Sequence, residues 1–177
     1  MSGKISPKRD ITATNRLTLH AFSERDRVAA GELICSEEIK ETYMMPDCTT
    51  EAEVDRLFES LMKTTLSRER FMYGIYLGER LIGFINEVET DGDSVEVGYV
   101  INPRFKNRGY ASEALRAAAQ ELFRMGYKAV RVGAFEENTA SRRVAEKCEM
   151  KLTGKTENIE YRGREHLCVY YELRRED

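Results

Sequence analysis

The sequence predicts one α+β domain: a mixed, mostly antiparallel sheet of about seven strands with a parallel central pair, flanked by about four helices. Three observations predict it. Short stretches of alternating or continuous apolar residues are bounded by Gly, Asp-Gly or Pro, as strands are. Between them lie segments with helical apolar spacing, opened by Ser, Thr or Asn. One of these helices separates two Val-rich strands, the arrangement of a parallel crossover.

In chain order, residues 1–13 read as a loose N-terminal tail, and residues 14–177 as a single domain. Arg16 to Phe22 alternates and reads as a strand. Ser23-x-x-Asp26 offers a helix start, and Val28, Ala29, Leu33 and Ile34 permit a helix to Cys35. Tyr43 to Asp47 reads as a loop. Thr50-x-x-Glu53 is a capping box. Val54, Leu57, Phe58, Leu61 and Met62 then follow the spacing of a one-sided helix. Phe71–Leu77, Arg80–Glu89 and Ser94–Asn102 form a three-strand meander turning at Gly78-Glu79 and Asp91-Gly92. Pro103 ends it. Gly109 opens a helix whose stripe is Leu115, Ala118, Ala119, Leu122 and Phe123, with Gly126 as its stop. Lys128–Phe135 is a strand, Asn138 caps a helix to Cys148, and Thr153–Tyr161 and Glu165–Arg174 make a hairpin.

Composition narrows the function classes. The chain has 177 residues, 33% of them charged, and a net charge of -3, which gives no electrostatic reason to expect nucleic acid or an anionic membrane as partner. No apolar run approaches transmembrane length, and the polar start has no signal-peptide core. The four cysteines make no C-x-x-C pair, and His20 and His166 are far apart, which argues against a metal site. Both histidines read as ordinary strand residues, and nothing marks Cys168 as an activated thiol. The expected location is cytoplasmic, the expected state monomer or homodimer.

Chemistry concentrates in Tyr99 to Ala114. A strand runs into a basic, glycine-bearing turn and the turn into a helix. Backbone N–H groups at a helix start lack intrahelical partners and carry the positive end of the dipole, a ready site for a pyrophosphate. Gly109 and Ala111 leave room for close approach, and Arg104, Lys106 and Arg108 add positive charge. A plain strand-to-helix connection with solvated basic residues would read the same way locally.

The segment Lys106-Asn107-Arg108-Gly109-Tyr110-Ala111 resembles the coenzyme-A-binding motif of the GNAT superfamily of N-acetyltransferases, Gln/Arg-x-x-Gly-x-Gly/Ala, with Lys at the first position. Asn138-Thr-Ala-Ser141, followed by Glu146-Lys147, is similar to the next motif in the branch that includes the ribosomal-protein-alanine acetyltransferases. Asn15 to Leu19 and Tyr170 to Leu173 are similar to that branch too. The resemblance implies acetyl-CoA as cosubstrate, no metal, and direct transfer of an acetyl group to a primary amine, be it a small molecule, an amino acid or a protein N-terminus. It implies coenzyme contacts from Tyr99, Val100, Ile101, Lys106, Asn107, Arg108, Gly109, Tyr110, Ala111, Ser112, Asn138 and Ser141. Ser141 is placed near the coenzyme's sulfur. The family's main-chain donor to the thioester maps to the N–H of Val100 or Ile101, and Gly98-Tyr99 suits a strand bulge beside it. Tyr43 to Asp47 occupies the place of an acceptor wall. Glu96, a carboxylate between two valines on a central strand, matches a general base; an outward charge or an arginine partner would also explain it.

Two departures stand out. Many members carry a tyrosine seven residues after the Asn; here that position is Ala145. Many end the second motif in Gly-Phe; here it is Glu149-Met150. These departures keep open an acyl-CoA-binding sensor or scaffold module without transferase activity.

Overall fold

A computed structural model describes residues 11–12 and 16–175. Most of the expected tail, residues 1–10 and 13, lies outside the described residues. Ile11–Thr12 within it forms a short strand, β1, that pairs antiparallel with β2 (Leu17–His20) and buries Ile11.

The remaining elements follow the expected order. A 3-10 turn over Glu24–Asp26 leads into α1 (Arg27–Ile34). The one-turn α2 (Glu37–Lys40), which apolar spacing does not announce, is capped by Ser36. Next come α3 (Glu51–Leu66) and the meander β3 (Met72–Leu77), β4 (Arg80–Asp91) and β5 (Ser94–Ile101). A 3-10 turn over Pro103–Phe105 precedes α4 (Tyr110–Arg124). The chain closes with β6 (Ala129–Phe135), α5 (Thr139–Lys147), β7 (Lys151–Tyr161) and β8 (Arg164–Arg174). The strands form one sheet in the order β1-β2-β3-β4-β5-β6-β8-β7, antiparallel except for the β5–β6 pair.

α4 and α5 pack on one face. Leu115 and Leu122 are wholly buried there against Val95, Val130 and Val132. Each such leucine contributes about 1.5–3 kcal/mol. α1 and α3 cover the other face over β3 and β4, around Phe58, Leu33 and Phe84. The α1 stripe is narrower than expected, for Val28 points to solvent at 79% exposure. The capping box at Thr50 and Glu53 forms, and three donated hydrogen bonds from Thr49 and Thr50 hold the Glu53 carboxyl down to about 2. Buried Asp26 accepts from the Ser23 N–H and the Tyr76 hydroxyl. Among the described residues no buried side-chain polar atom lacks a partner.

The strand irregularity differs in place from the expectation. Gly98 and Tyr99 pair regularly with Asn86 and Ile85, and the register slips instead on β4 between Glu87 and Glu89. What needs glycine at position 98 is a close approach: a β-carbon there would stand 3.0 Å from the Tyr43 ring.

Candidate active site

The site begins where the sheet comes apart. β5 and β6 run parallel over only three facing pairs, Ser94–Ala129, Val95–Val130 and Glu96–Arg131. Beyond Glu96, β5 stays with β4 as far as Ile101, while β6 follows β8 to Phe135. Backbone groups on the facing edges are thus free to meet a ligand. The Asn102 N–H donates to the Ile82 carbonyl (2.7 Å). Antiparallel alternation then directs the Val100 N–H to β4 and those of Tyr99 and Ile101 into the split. Of the two expected donors, Val100 is therefore committed to the ladder, and Ile101 faces the gap.

A groove of about 370 Å³ runs through this gap. Tyr99, Val100 and Ile101 line one wall, Val132 and Gly133 the other. The α4 entrance supplies Lys106, Asn107, Gly109, Tyr110, Ala111 and Ser112, and α5 supplies Asn138, Ser141, Arg143 and Lys147. Gly109 is the N-cap of α4 in the left-handed region (φ 82°), and Asn107 is left-handed too (φ 61°). Left-handed residues beside a helix start aim successive N–H groups at one point, a cradle for phosphate. Arg16 holds this loop, donating to the Arg108 carbonyl (3.2 Å), pairing with Glu113 and lying 4.8 Å from the Tyr110 ring centroid.

The expected cations contribute less than their number suggests. Lys106 is bound to Glu38 (2.5 Å) and Arg104 to Glu32 (3.7 Å). Arg108 is exposed, lies outside the groove lining and stands 5.9 Å from the Phe105 ring centroid.

Asn138 caps α5 by accepting the Ser141 N–H (3.1 Å). The Ser141 hydroxyl lies 2.9 Å from the Tyr99 hydroxyl across the groove. Burial holds the Tyr99 phenol above its ordinary pKa. Ala145, in the family's tyrosine position, is fully buried. The Glu149-Met150 departure also has a structural form. The Met150 N–H bonds the Ala145 carbonyl and the Glu149 N–H bonds that of Glu146, a Schellman ending. Glu149 therefore adopts the left-handed conformation (φ 62°) that usually goes to glycine, and Met150 fills the core.

Glu96 lies on the opposite face of β5 from Tyr99, as strand alternation requires. It is half-buried, with Oε1 3.0 Å from where a Gly133 β-carbon would stand. Burial raises its pKa; Lys155 opposes this, Glu89 and Glu157 add to it, and Arg131 opposes it more weakly. Arg131 bonds Glu172 (2.8 Å), so Glu96 is no structural partner for that arginine.

Around Glu96 the face carries Cys168 and Tyr170, whose hydroxyl donates to Glu157 (2.8 Å). Burial pushes the Cys168 thiol up. Of the 43–47 loop, Tyr43 lines the groove: its hydroxyl donates to Asn86 (2.6 Å), and the Tyr161 hydroxyl donates to the Tyr43 carbonyl (3.3 Å). Arg162, at the tip of the β7–β8 hairpin, bridges Glu37 and Asp47. Both histidines do structural work: His20 stacks on Tyr76, and buried His166 pairs with Glu137.

Sequence reasoning missed Gly133, Arg143 and Lys147 as groove residues. Gly133 carried a signal, a glycine inside an otherwise Val-rich strand. The two cations carried none beyond helical spacing from Asn138.

Residues 16–151 match the family profile described as acetyltransferase (GNAT) domain. The chain is 29% identical over 160 residues to an uncharacterized N-acetyltransferase, YnaD, of Bacillus subtilis (strain 168), covering 89% of this chain and 92% of that protein. An acetyltransferase (GNAT family) from Bacillus anthracis superposes with a TM-score of 0.79 at 26% identity, over 94% of this chain and 98% of that one. The RimL ribosomal L7/L12 alpha-N-protein acetyltransferase, in complex with coenzyme A, superposes with a TM-score of 0.82 at 20% identity, over 94% and 98%.

Proposed function

The chain belongs to the acetyltransferase (GNAT) domain family, and on that premise we propose that its acceptor is an α-amino group delivered to Glu96 from the sheet face opposite the coenzyme. The enzyme is an acetyl-CoA-dependent N-acetyltransferase acting on a primary amine. The observation that carries the acceptor reading is the position of Glu96 at the fork of the sheet, over Gly133, with Tyr99 and Ser141 on the other side.

Acetyl-CoA supplies the activated acetyl thioester. The loop from Lys106 to Ser112 would hold its pyrophosphate on backbone N–H groups, with the pantetheine arm in the groove that runs on between β5 and β6. The Ile101 N–H polarises the acetyl carbonyl from the split edge of β5. Ser141 hydrogen-bonds the departing sulfur. Glu96 takes the amine proton, directly or through a water; its raised pKa brings it nearer the operating pH.

The α-amine preference follows from protonation. A lysine amine with pKa near 10.4 is about one part in 2,500 neutral at pH 7, whereas an α-amine near 7.8 is roughly one part in seven. A carboxylate whose pKa is raised chiefly by burial suits the second task. Glu96, Glu89 and Glu157 also favour an incoming ammonium, against the opposing charges of Lys155 and Arg131. RimL, by its name an alpha-N-protein acetyltransferase, is a relative in the same chemical class. The sensor or scaffold alternative rested on the absent tyrosine at Ala145 and on the unusual Glu149; a phenol from Tyr99 stands beside Ser141, and Glu149 serves as the left-handed end of α5. Four free cysteines agree with a cytoplasmic setting.

The test follows free-thiol release over a panel of amines, with products identified by mass. Short peptides with a free α-amine should be acetylated, and the same peptides with a blocked N-terminus and a free lysine should react at least about tenfold more slowly. Equal or faster lysine acetylation overturns the α-amine reading.

A further inference from the structure

The hydroxyl of Ser141 needs an orientation before it can help a sulfur atom, and the opposite wall of the groove provides one. Tyr99 Oη lies 2.9 Å from Ser141 Oγ and 3.3 Å from the Ser141 carbonyl oxygen. We propose that Tyr99 is a positioning residue for transfer: its phenol donates to Ser141 Oγ and turns the serine's own O–H toward the coenzyme sulfur. This rests on the reading of Ser141 given above.

Three features of the site support it. Asn138 already satisfies the Ser141 N–H, so the serine side chain is not needed to cap α5. A serine oxygen that accepts one hydrogen bond keeps its single proton for another partner, and both residues line the groove. Finally, Tyr99 comes from β5, the strand that also carries Glu96, so the positioning phenol and the base are set by one rigid element on its two faces. The phenol stays protonated because burial resists its ionisation, so it keeps one proton to donate; Ser141 Oγ at 2.9 Å and the Ser141 carbonyl at 3.3 Å both lie within its reach, and we assign that proton to the shorter contact.

The chemistry balances without a proton leaving Tyr99. The amine nitrogen bonds the acetyl carbon, and the carbon–sulfur bond breaks with its electron pair going to sulfur. The Ser141 O–H hydrogen-bonds that pair. The proton lost by the nitrogen, passed through Glu96 or water, is the one that finally converts the sulfur to a thiol.

The test needs no turnover. Calorimetry compares free coenzyme A with its desulfo analogue, and ultraviolet thiolate absorbance follows the ionisation of the bound thiol, in the parent, Tyr99→Phe, Ser141→Ala and the double variant. In the parent, the bound thiol should ionise at lower pH than free coenzyme A, by about half a unit or more, since a donated hydrogen bond favours the charged form. Tyr99→Phe and Ser141→Ala should each abolish that shift, the double variant should lose no more than either, and desulfo-coenzyme A should bind all four alike. Turnover should fall about ten- to a hundredfold in each single variant, again without adding in the double. A shift lost in Ser141→Ala but kept in Tyr99→Phe overturns the Tyr99 role alone. No shift in the parent overturns the Ser141 reading as well. Weaker desulfo-coenzyme A binding in Tyr99→Phe would mean that the residue only shapes the groove, and would overturn the proposal too.

Discussion

The Glu96 carboxylate reaches over Gly133, with Oε1 3.0 Å from where a β-carbon on that glycine would be. A methyl group there would also meet buried Tyr170 at 3.1 Å and buried Cys168 at 3.3 Å, so the half-buried carboxylate is the group that gives way. Gly133→Ala should therefore displace the carboxylate and lower kcat/KM for the amine by about tenfold, with coenzyme affinity changed much less. Steady-state kinetics beside calorimetry checks this.

Glu96→Gln should be slow near neutrality and recover partly at high pH, where the acceptor loses its proton unaided. In the parent, kcat/KM should rise with pH. Stability should move the other way. A folded-state pKa above the unfolded one means that the native state holds its proton longer, so the contribution of Glu96 is full below the ordinary carboxylate range and is lost as pH rises through the raised value. The Gln variant should match the parent in acid and melt higher than it toward pH 8. Superimposed pH–rate profiles would remove Glu96 from the mechanism.

At the coenzyme loop, Gly109→Trp forces a large side chain into a left-handed position (φ 82°) at the mouth of the groove. The strain alone is about 1–2 kcal/mol. Affinity for acetyl-CoA should fall more than about tenfold, while Lys106→Ala, whose ammonium is already paired with Glu38, should weaken it only a few fold. Calorimetry on folded variants decides, and undiminished affinity in Gly109→Trp would displace the pyrophosphate from this loop.

Glu149→Gly should stabilise the protein by about 1 kcal/mol, because glycine takes the C-terminal left-handed turn of α5 without strain. A rise of roughly 2–4 °C in Tm is the expected reading.

Loss of the α3 cap should be felt in stability only. Thr50→Ala removes the hydroxyl that accepts the Glu53 N–H (3.3 Å) and should cost about 1 kcal/mol. Coenzyme affinity should stay at the parental value, since α3 does not line the groove. Denaturant titration and calorimetry together separate the two effects.

Which of these features the sequence discloses depends on their range. The hairpins were legible because Gly78, Gly92 and Gly163 supply the positive φ their turns require, a local demand. The α4 loop was legible for the same reason at Gly109. That Tyr99 and Glu96 face opposite ways follows from strand alternation. Their partners do not: Ser141 and Gly133 arrive through a crossover and a second helix, and no periodicity states where β6 leaves β5. The short α2 escaped because four residues, three of them charged, show no apolar rhythm. The slip on β4 at Val88 escaped because an exposed valine looks like any other strand residue. Arg108 reads as a ligand from its place in the motif, and only the folded loop leaves it exposed near Phe105 and outside the groove lining.

The three-pair contact between β5 and β6 has a thermodynamic consequence. The two halves of the sheet share little hydrogen bonding of their own, which leaves backbone edges on both sides of the groove that a bound molecule could meet. Whatever binds the folded chain and not the unfolded one adds to its stability, by about 2.7 kcal/mol when the free ligand stands at a hundred times its Kd. The resistance of this protein to unfolding and proteolysis should therefore rise with the concentration of its acyl donor.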